Sequence, residues 1–209
     1  MAAPTTYTSD SRTRLLDAAL KVIRAKGYSA TRVEDICEAA GLSKGSFFHH
    51  FTSKQHFAVE AAAHWSSVTG SLFAAAPYHD HADPLDRVLG YLDFRRAILR
   101  REVPEFTCLV GTMVQETYDT CPAIREACER SISGHAAEVA KDLELAKRLH
   151  APDATWMAES LALYTQAVLQ GAFILAKARN GPRVAEDCLD HLRRYVEMLF
   201  HHPHPRSDS

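Results

Sequence analysis

Residues Gly41 to Lys54 read GLSKGSFFHHFTSK. Phe47, Phe48 and Phe51 fall close together beside the adjacent pair His49 and His50, and Lys44 and Lys54 flank them. A wholly buried helix would strand the histidines, and a wholly solvated one would expose the phenyl rings. At about 100° per residue, Phe47 and Phe51 project together, four positions apart. Gly45, Ser46 and His49 project oppositely, with Phe48 and His50 at the flanks. One face fixes the helix to its neighbours, while the other is small and polar, as a helix entering a DNA major groove must be.

The flanking chain supplies a frame for such a helix. Leu15, Leu16, Ala19, Leu20 and Ile23 recur at helical spacing from Asp10 onward, and Gly27 stands where that helix should stop. Thr31 followed by Glu34 predicts a capping box for a short second helix with Val33, Ile36, Cys37 and Ala40 on one stripe. Gly41 then allows a tight turn, Leu42 points inward, and Ser43 caps a third helix over Lys44–His50. The result is a helix-turn-helix. Lys44, Lys54 and Arg32 are placed to reach phosphates, as are free amides at the helix starts.

Beyond Ser53, a helix N-cap, the periodicity predicts further helices. They run to about Ala76, over Pro84–Arg101, Pro104–Tyr118 and Pro122–Leu149, through a largely apolar stretch from Thr155 to Arg179, and from Arg183 to Phe200. No strand-type alternation and no internal repeat is present. The reading is all-α with about nine helices: a three-helix head over residues 1–56, then a helical body over 57–209. Residues 1–9 and the end HHPHPRSDS read as tails.

Charge is divided along the chain. Residues 1–56 carry eight Lys/Arg against five Asp/Glu, and the remainder carries 16 against 21, within a net charge of −2. A basic head on an acidic body fits a polyanion partner for the head. The five Cys lack CxxC spacing, and no basic and apolar leader or membrane-length apolar run is seen, so reduced thiols in a cytoplasm are expected.

The stretch from Thr13 to Ala61 carries Ala18, Gly27, Tyr28 and Thr31, then Ile36, Ala40, Gly41, Leu42 and Ser43, then Lys44, Gly45, Phe48, His50, Phe51 and Lys54. In these positions it resembles the N-terminal domain of TetR/AcrR-type transcriptional regulators. The resemblance implies a homodimer that sets its third helices in successive major grooves of palindromic double-stranded DNA, and release by a small-molecule inducer bound in the body. It marks Thr31, Arg32, Ser43, Lys44, Gly45, Ser46, Phe48, His49, His50 and Lys54 as candidate DNA contacts. Phe48 stands where the family usually has Tyr, which removes one hydroxyl donor.

For the body, polar or aromatic residues within apolar stretches are candidate pocket liners: Trp65, Cys108, Met113, Glu116, Tyr118, Trp156, Tyr164, Gln166 and Phe173. The last two helices are expected to form a four-helix dimer bundle, with Gly171, Ala172, Leu192, Tyr195, Val196 and Leu199 at the interface. An alternative uses the same DNA-binding head with covalent sensing of thiol-reactive compounds at Cys108, against an inert buried Cys. His79, His81, His201, His202 and His204 lie in loops or tail without a matching ligand scaffold, so no metal is expected. No cofactor is expected, and no phosphate loop, GxSxG, HExxH or paired-carboxylate motif points to an enzyme.

Overall fold

A computed structural model describes residues 10–99 and 102–201; the tail expected over residues 1–9 and the tail histidines His202 and His204 lie outside them, whereas His201, also expected in the tail, ends the last helix. The described chain forms ten α-helices and a single 3-10 turn at Pro77–Asp80. They are α1 (Ser11–Lys26), α2 (Val33–Ala40), α3 (Lys44–His50), α4 (Lys54–Ala74), α5 (Pro84–Ala97), α6 (Val103–Phe106), α7 (Leu109–Thr117), α8 (Pro122–His150), α9 (Ala158–Arg179) and α10 (Arg183–His201).

The tenth helix arises because the segment expected as one helix over Pro104–Tyr118 breaks at Thr107 and Cys108. Both residues are extended, and the Cys108 thiol restarts the chain as the N-cap of α7, its Sγ accepting from the Gly111 amide at 3.4 Å. The long apolar helix expected from Thr155 begins at Ala158.

The head packs around three rings. Phe47, Phe51 and Phe57 are buried with centroids 4.8–5.4 Å apart, and the apolar stripe of α1 closes over them. Gly41 ends α2 in the left-handed region (φ 62°), and the Leu42 amide reaches back to the Cys37 carbonyl at 2.9 Å, turning Leu42 inward. The head's core continues into the body through Leu109, Val110 and Met113 of α7 and Ile124 and Cys128 of α8. A second core lies among α5, α8, α9 and α10.

The capping of α2 differs from the expectation. Its N-cap is Arg32, whose amide donates to Asp35 Oδ2 at 2.8 Å. Thr31 is fully buried and donates to the Gly27 carbonyl at 2.6 Å, so it braces the preceding turn instead of meeting DNA. The carboxylate of Glu34, freed from a capping role, pairs with Lys44 on α3.

The α9 helix is long and apolar enough to cross a membrane by length and composition alone. One side of it, with Leu161, Leu169, Ala172 and Ala176, is packed against α8 and α10. The opposite side exposes Leu163, Tyr164, Ile174 and Leu175, beside Tyr195 and Met198 of α10. Ala172, Leu192 and Val196, expected at a dimer face, are buried in the subunit's own core. They fall on the inner stripe of their helices, which the spacing alone could not tell from the outer one. Gly171 has open space where a Cβ would stand, Tyr195 is exposed, and Leu199 is half-buried against the core.

Candidate functional site

The outward face of α3 presents Gly45, Phe48 and His49 to solvent, with Ser46 half-buried beside them. Ser43 caps the helix by accepting from the Ser46 amide at 3.1 Å. A Cβ on Gly45 would meet only the Ser43 Oγ, at 3.6 Å, so nothing inside the chain requires glycine there. Phe48 is 56% exposed, held edge-on against Phe47 with 5.2 Å between centroids. His50 turns back toward α1, its Nε2 2.7 Å from the Ser11 hydroxyl, so it fixes the helix in place more than it faces outward.

The cations around α3 are already partnered. Lys44 pairs with Glu34, and Arg32 with Asp35 at 3.3 Å. The Arg32 backbone amide, its guanidinium and the Lys26 ammonium hold the Asp35 carboxyl well below the usual range. Lys54 sits 4.4 Å from the centre of the Tyr28 ring and donates to the Ser29 carbonyl at 3.3 Å, with its pKa lowered by partial burial. The Arg32 and Lys44 side chains are exposed, where an ion pair contributes little to stability.

Behind the head, among α1, α4, α5, α6–α8 and α9, lies a cavity of about 500 Å³. Of the candidate liners, Trp65, Cys108, Gln166 and Phe173 stand in its wall. Glu116 lines a smaller cavity of about 240 Å³, which shares Cys108 and Phe173. The other expected liners fall elsewhere. Met113 is fully buried in the seam between head and body, and Tyr118 is 64% exposed at the end of α7. Trp156 packs on Phe200 at 5.3 Å, its indole N–H without a protein partner. Tyr164 stacks outward on Tyr195 at 5.3 Å.

Sequence reading missed the cavity's charged residues and His135. Arg24, on α1, stacks 5.1 Å from the Trp65 ring and donates to the carbonyls of Leu20, Glu105 (2.8 Å) and Thr107 (3.3 Å). Burial lowers its pKa, opposed by Cys108 and Glu105. Arg95 donates to the Tyr91 hydroxyl at 3.0 Å and to His135 Nε2 at 2.9 Å. Burial, then the neighbouring Arg95 charge, pushes the His135 pKa down to about 3. The imidazole is therefore neutral at ordinary pH, and acceptance at Nε2 assigns its proton to Nδ1. His135 was legible in principle, as a histidine on the stripe formed by Cys128, Ile132 and Val139.

Two ties join this region to the head. One is Arg24, a residue of the first head helix that holds the α6–α7 junction. The other is Glu116 on α7, whose carboxylate accepts from the amides of Tyr28 (3.1 Å) and Ser29 (2.7 Å). Gly27 is necessary at this contact. It has φ 86°, and a Cβ there would stand 2.5 Å from Glu116 Oε1. All five cysteines are free, and among the described residues no cluster of His, Cys, Asp and Glu could hold a metal ion.

Residues 15–61 match the family described as bacterial regulatory proteins, tetR family, and residues 84–190 match the C-terminal domain described as transcriptional regulator LmrA/YxaF-like. The transcriptional repressor KstR2 of Rhodococcus jostii is 49% identical over 47 residues, covering 22% of this chain and 23% of that protein. The first three curated relatives are spanned over 23%, 47% and 65% of their lengths. A TetR regulator from Chloroflexus aurantiacus superposes with a TM-score of 0.77 at 26% identity, covering 90% of this chain and 94% of that one. The reduced form of NemR from Escherichia coli superposes at 0.76 and 22% identity, covering 89% and 96%. The helix-turn-helix head, the all-helical body and a match to more than half of the chain converge: the chain belongs to the TetR family of transcriptional regulators, with an LmrA/YxaF-like C-terminal domain.

Proposed function

We propose that the chain is a ligand-responsive repressor of the cytoplasm, working as a homodimer on a palindromic operator. Residues 1–56 act as the reading domain and 57–209 as the ligand-binding and dimerisation domain. Each α3 enters a major groove, with half-sites about 34–36 Å apart. Ser46, Phe48 and His49 meet base edges, while Arg32, Lys44 and Lys54 exchange their internal partners for phosphates. The exposed stripe of Leu163, Tyr164, Ile174, Leu175, Tyr195 and Met198 supports the dimer, since contiguous apolar patches of this kind mark interfaces. Gly171, open on the same helix, leaves room for a partner helix to come close.

The observation that carries the reading is Arg24. One side chain belongs at once to the first head helix and to the cavity wall, where it holds the carbonyls at the α6–α7 junction. A molecule filling the cavity must contact or displace it, so ligand occupancy and head position become linked equilibria. The test is binding to the chain's own upstream DNA, titrated in salt. Sequence-selective binding that weakens steeply with salt is expected, and Arg24→Ala should keep DNA binding while losing its response to ligand. Absence of salt-sensitive, sequence-selective binding sinks the repressor reading.

A second reading is covalent sensing at Cys108. It is favoured by the thiol's place at the α7 N-terminus, in the walls of both cavities, with Arg24 and Lys177 near enough to feel its charge. If Cys108→Ser still leaves DNA normally when the inducer arrives, this reading is wrong.

A further inference from the structure

Three arginines along α5 contrast with one another. Arg87 and Arg96 each meet a carboxylate at 2.8 Å, Asp142 and Asp190 respectively. Arg95 turns to the cavity, and the groups it meets among the described residues are neutral. These are the Tyr91 hydroxyl, the unprotonated Nε2 of His135 and the face of Phe73, whose centre lies 4.3 Å from the guanidinium carbon. Tyr91 is held in turn by Gln166, which donates to its hydroxyl at 3.3 Å. Among the described residues no carboxylate lies within ion-pair distance of Arg95, although the side chain is half-buried.

Half-buried cations are ordinarily paired, because an apolar wall replaces the water that would solvate them. Arg24, the other guanidinium in the wall, spends its Nε and Nη1 on three backbone carbonyls and lies beside the Glu105 carboxylate. Among the described residues the one carboxylate in the wall, Glu105, is exposed and interacts with Arg24. Arg95 has only two of its five N–H groups in the hydrogen bonds above, and the rest of its fork is available. The remaining wall is mostly apolar, including Trp65, Leu72, Ile98, Phe106 and Phe173.

From this we infer that the cavity takes an organic monoanion, a carboxylic acid with a mainly apolar body, and that Arg95 is its anchor. The carboxylate meets the free edge of the guanidinium fork, and Tyr91, His135 and Gln166 hold the fork in place from behind. One positive charge answers one negative charge, and the aliphatic or aromatic body fills the space toward Trp65 and Phe173. The inference deepens the proposed ligand response and rests on that reading for its biological meaning, though not for the binding itself.

The test compares decanoate, cinnamate and 2-naphthoate with their primary amides, by calorimetry on the purified full chain without DNA. The acids should bind about tenfold or more tighter than the matched amides. Arg95→Gln should erase that preference, Arg95→Lys should keep part of it, and Arg24→Gln should leave it intact, with thermal melts confirming that each variant folds. Equal binding of acid and amide, no binding by any acid, or loss of the preference with Arg24 instead of Arg95 each overturns the assignment. A separate DNA-release assay keeps the two ideas apart. Acids that bind without releasing DNA leave the anion site standing and sink the inducer reading, whereas normal DNA binding with no acid bound does the reverse.

Discussion

The cations of the reading head and those of the cavity are handled in opposite ways. Around α3, Lys44 and Arg32 are exposed and each has an acidic partner from α2. In the cavity, Arg24 and Arg95 are half-buried and are met by carbonyls, a hydroxyl, a neutral imidazole and aromatic faces. The difference follows from solvent. An exposed pair contributes so little that a denser anion can take over its cation, which suits a surface that meets a phosphate backbone. A half-buried cation cannot fall back on water, so its surroundings are built from dipoles and leave an opening for one specific anion.

Removing the support of either region tests this contrast. The largest effect is expected from Phe47→Ala, which empties the centre of the aromatic cluster under α3. Stability should fall by about 3–5 kcal/mol, read as a lower urea midpoint with DNA binding lost in parallel. A loss under about 1 kcal/mol would mean that the head relies on its seam with α7 and α8 instead of its own core.

The next is Gly27→Ala, at the tie between the two regions. A side chain there meets both a disfavoured backbone conformation and the Glu116 carboxylate, and about 2 kcal/mol should be lost. The more telling readout is ligand response, which should uncouple from DNA binding while both individual affinities survive.

Acid acts on the cavity. The His135 pKa is about 3 in the folded protein and near 6.5 when unfolded, so the unfolded state binds the extra proton between those values. The stability associated with the neutral imidazole is fully present above about pH 6.5 and is lost as pH falls toward 3. At pH 5 this group should lower stability by up to about 2 kcal/mol relative to pH 7. His135→Asn should flatten that part of the curve in pH-dependent melts, while substitutions on α3 should not.

The smallest effect is Lys54→Ala. It should weaken binding at every DNA sequence alike and make the salt slope shallower by about 0.9. A change in base preference would contradict its assignment to phosphate.

Much of the head was legible because its determinants are local. The i, i+4 spacing of Phe47 and Phe51, the Ser43 cap and the Gly41 turn are each decided within a few residues. Even there, Thr31 misled. A Thr followed three residues later by Glu is a capping pattern, but Asp35 lies within equal reach and the chain caps one residue later. In the body, four expected liners reached the larger cavity, while Met113, Tyr118, Trp156 and Tyr164 did not. An aromatic or polar residue in an apolar helix can face a cavity, a seam between domains or a partner subunit, and all three give the same periodicity.

The all-helical class, the helix-turn-helix and the inward and outward faces of α3 are written locally along the chain, because turn chemistry and helical periodicity act over one or two turns. The place of the cavity, the presence of Arg24 of the head in its wall, and the position of Arg95 against His135 and Tyr91 with no carboxylate among the described residues within ion-pair distance arise from three-dimensional packing. Those relations depend on how long helices cross. The crossing is set by packing between residues far apart in the chain, which no local pattern records.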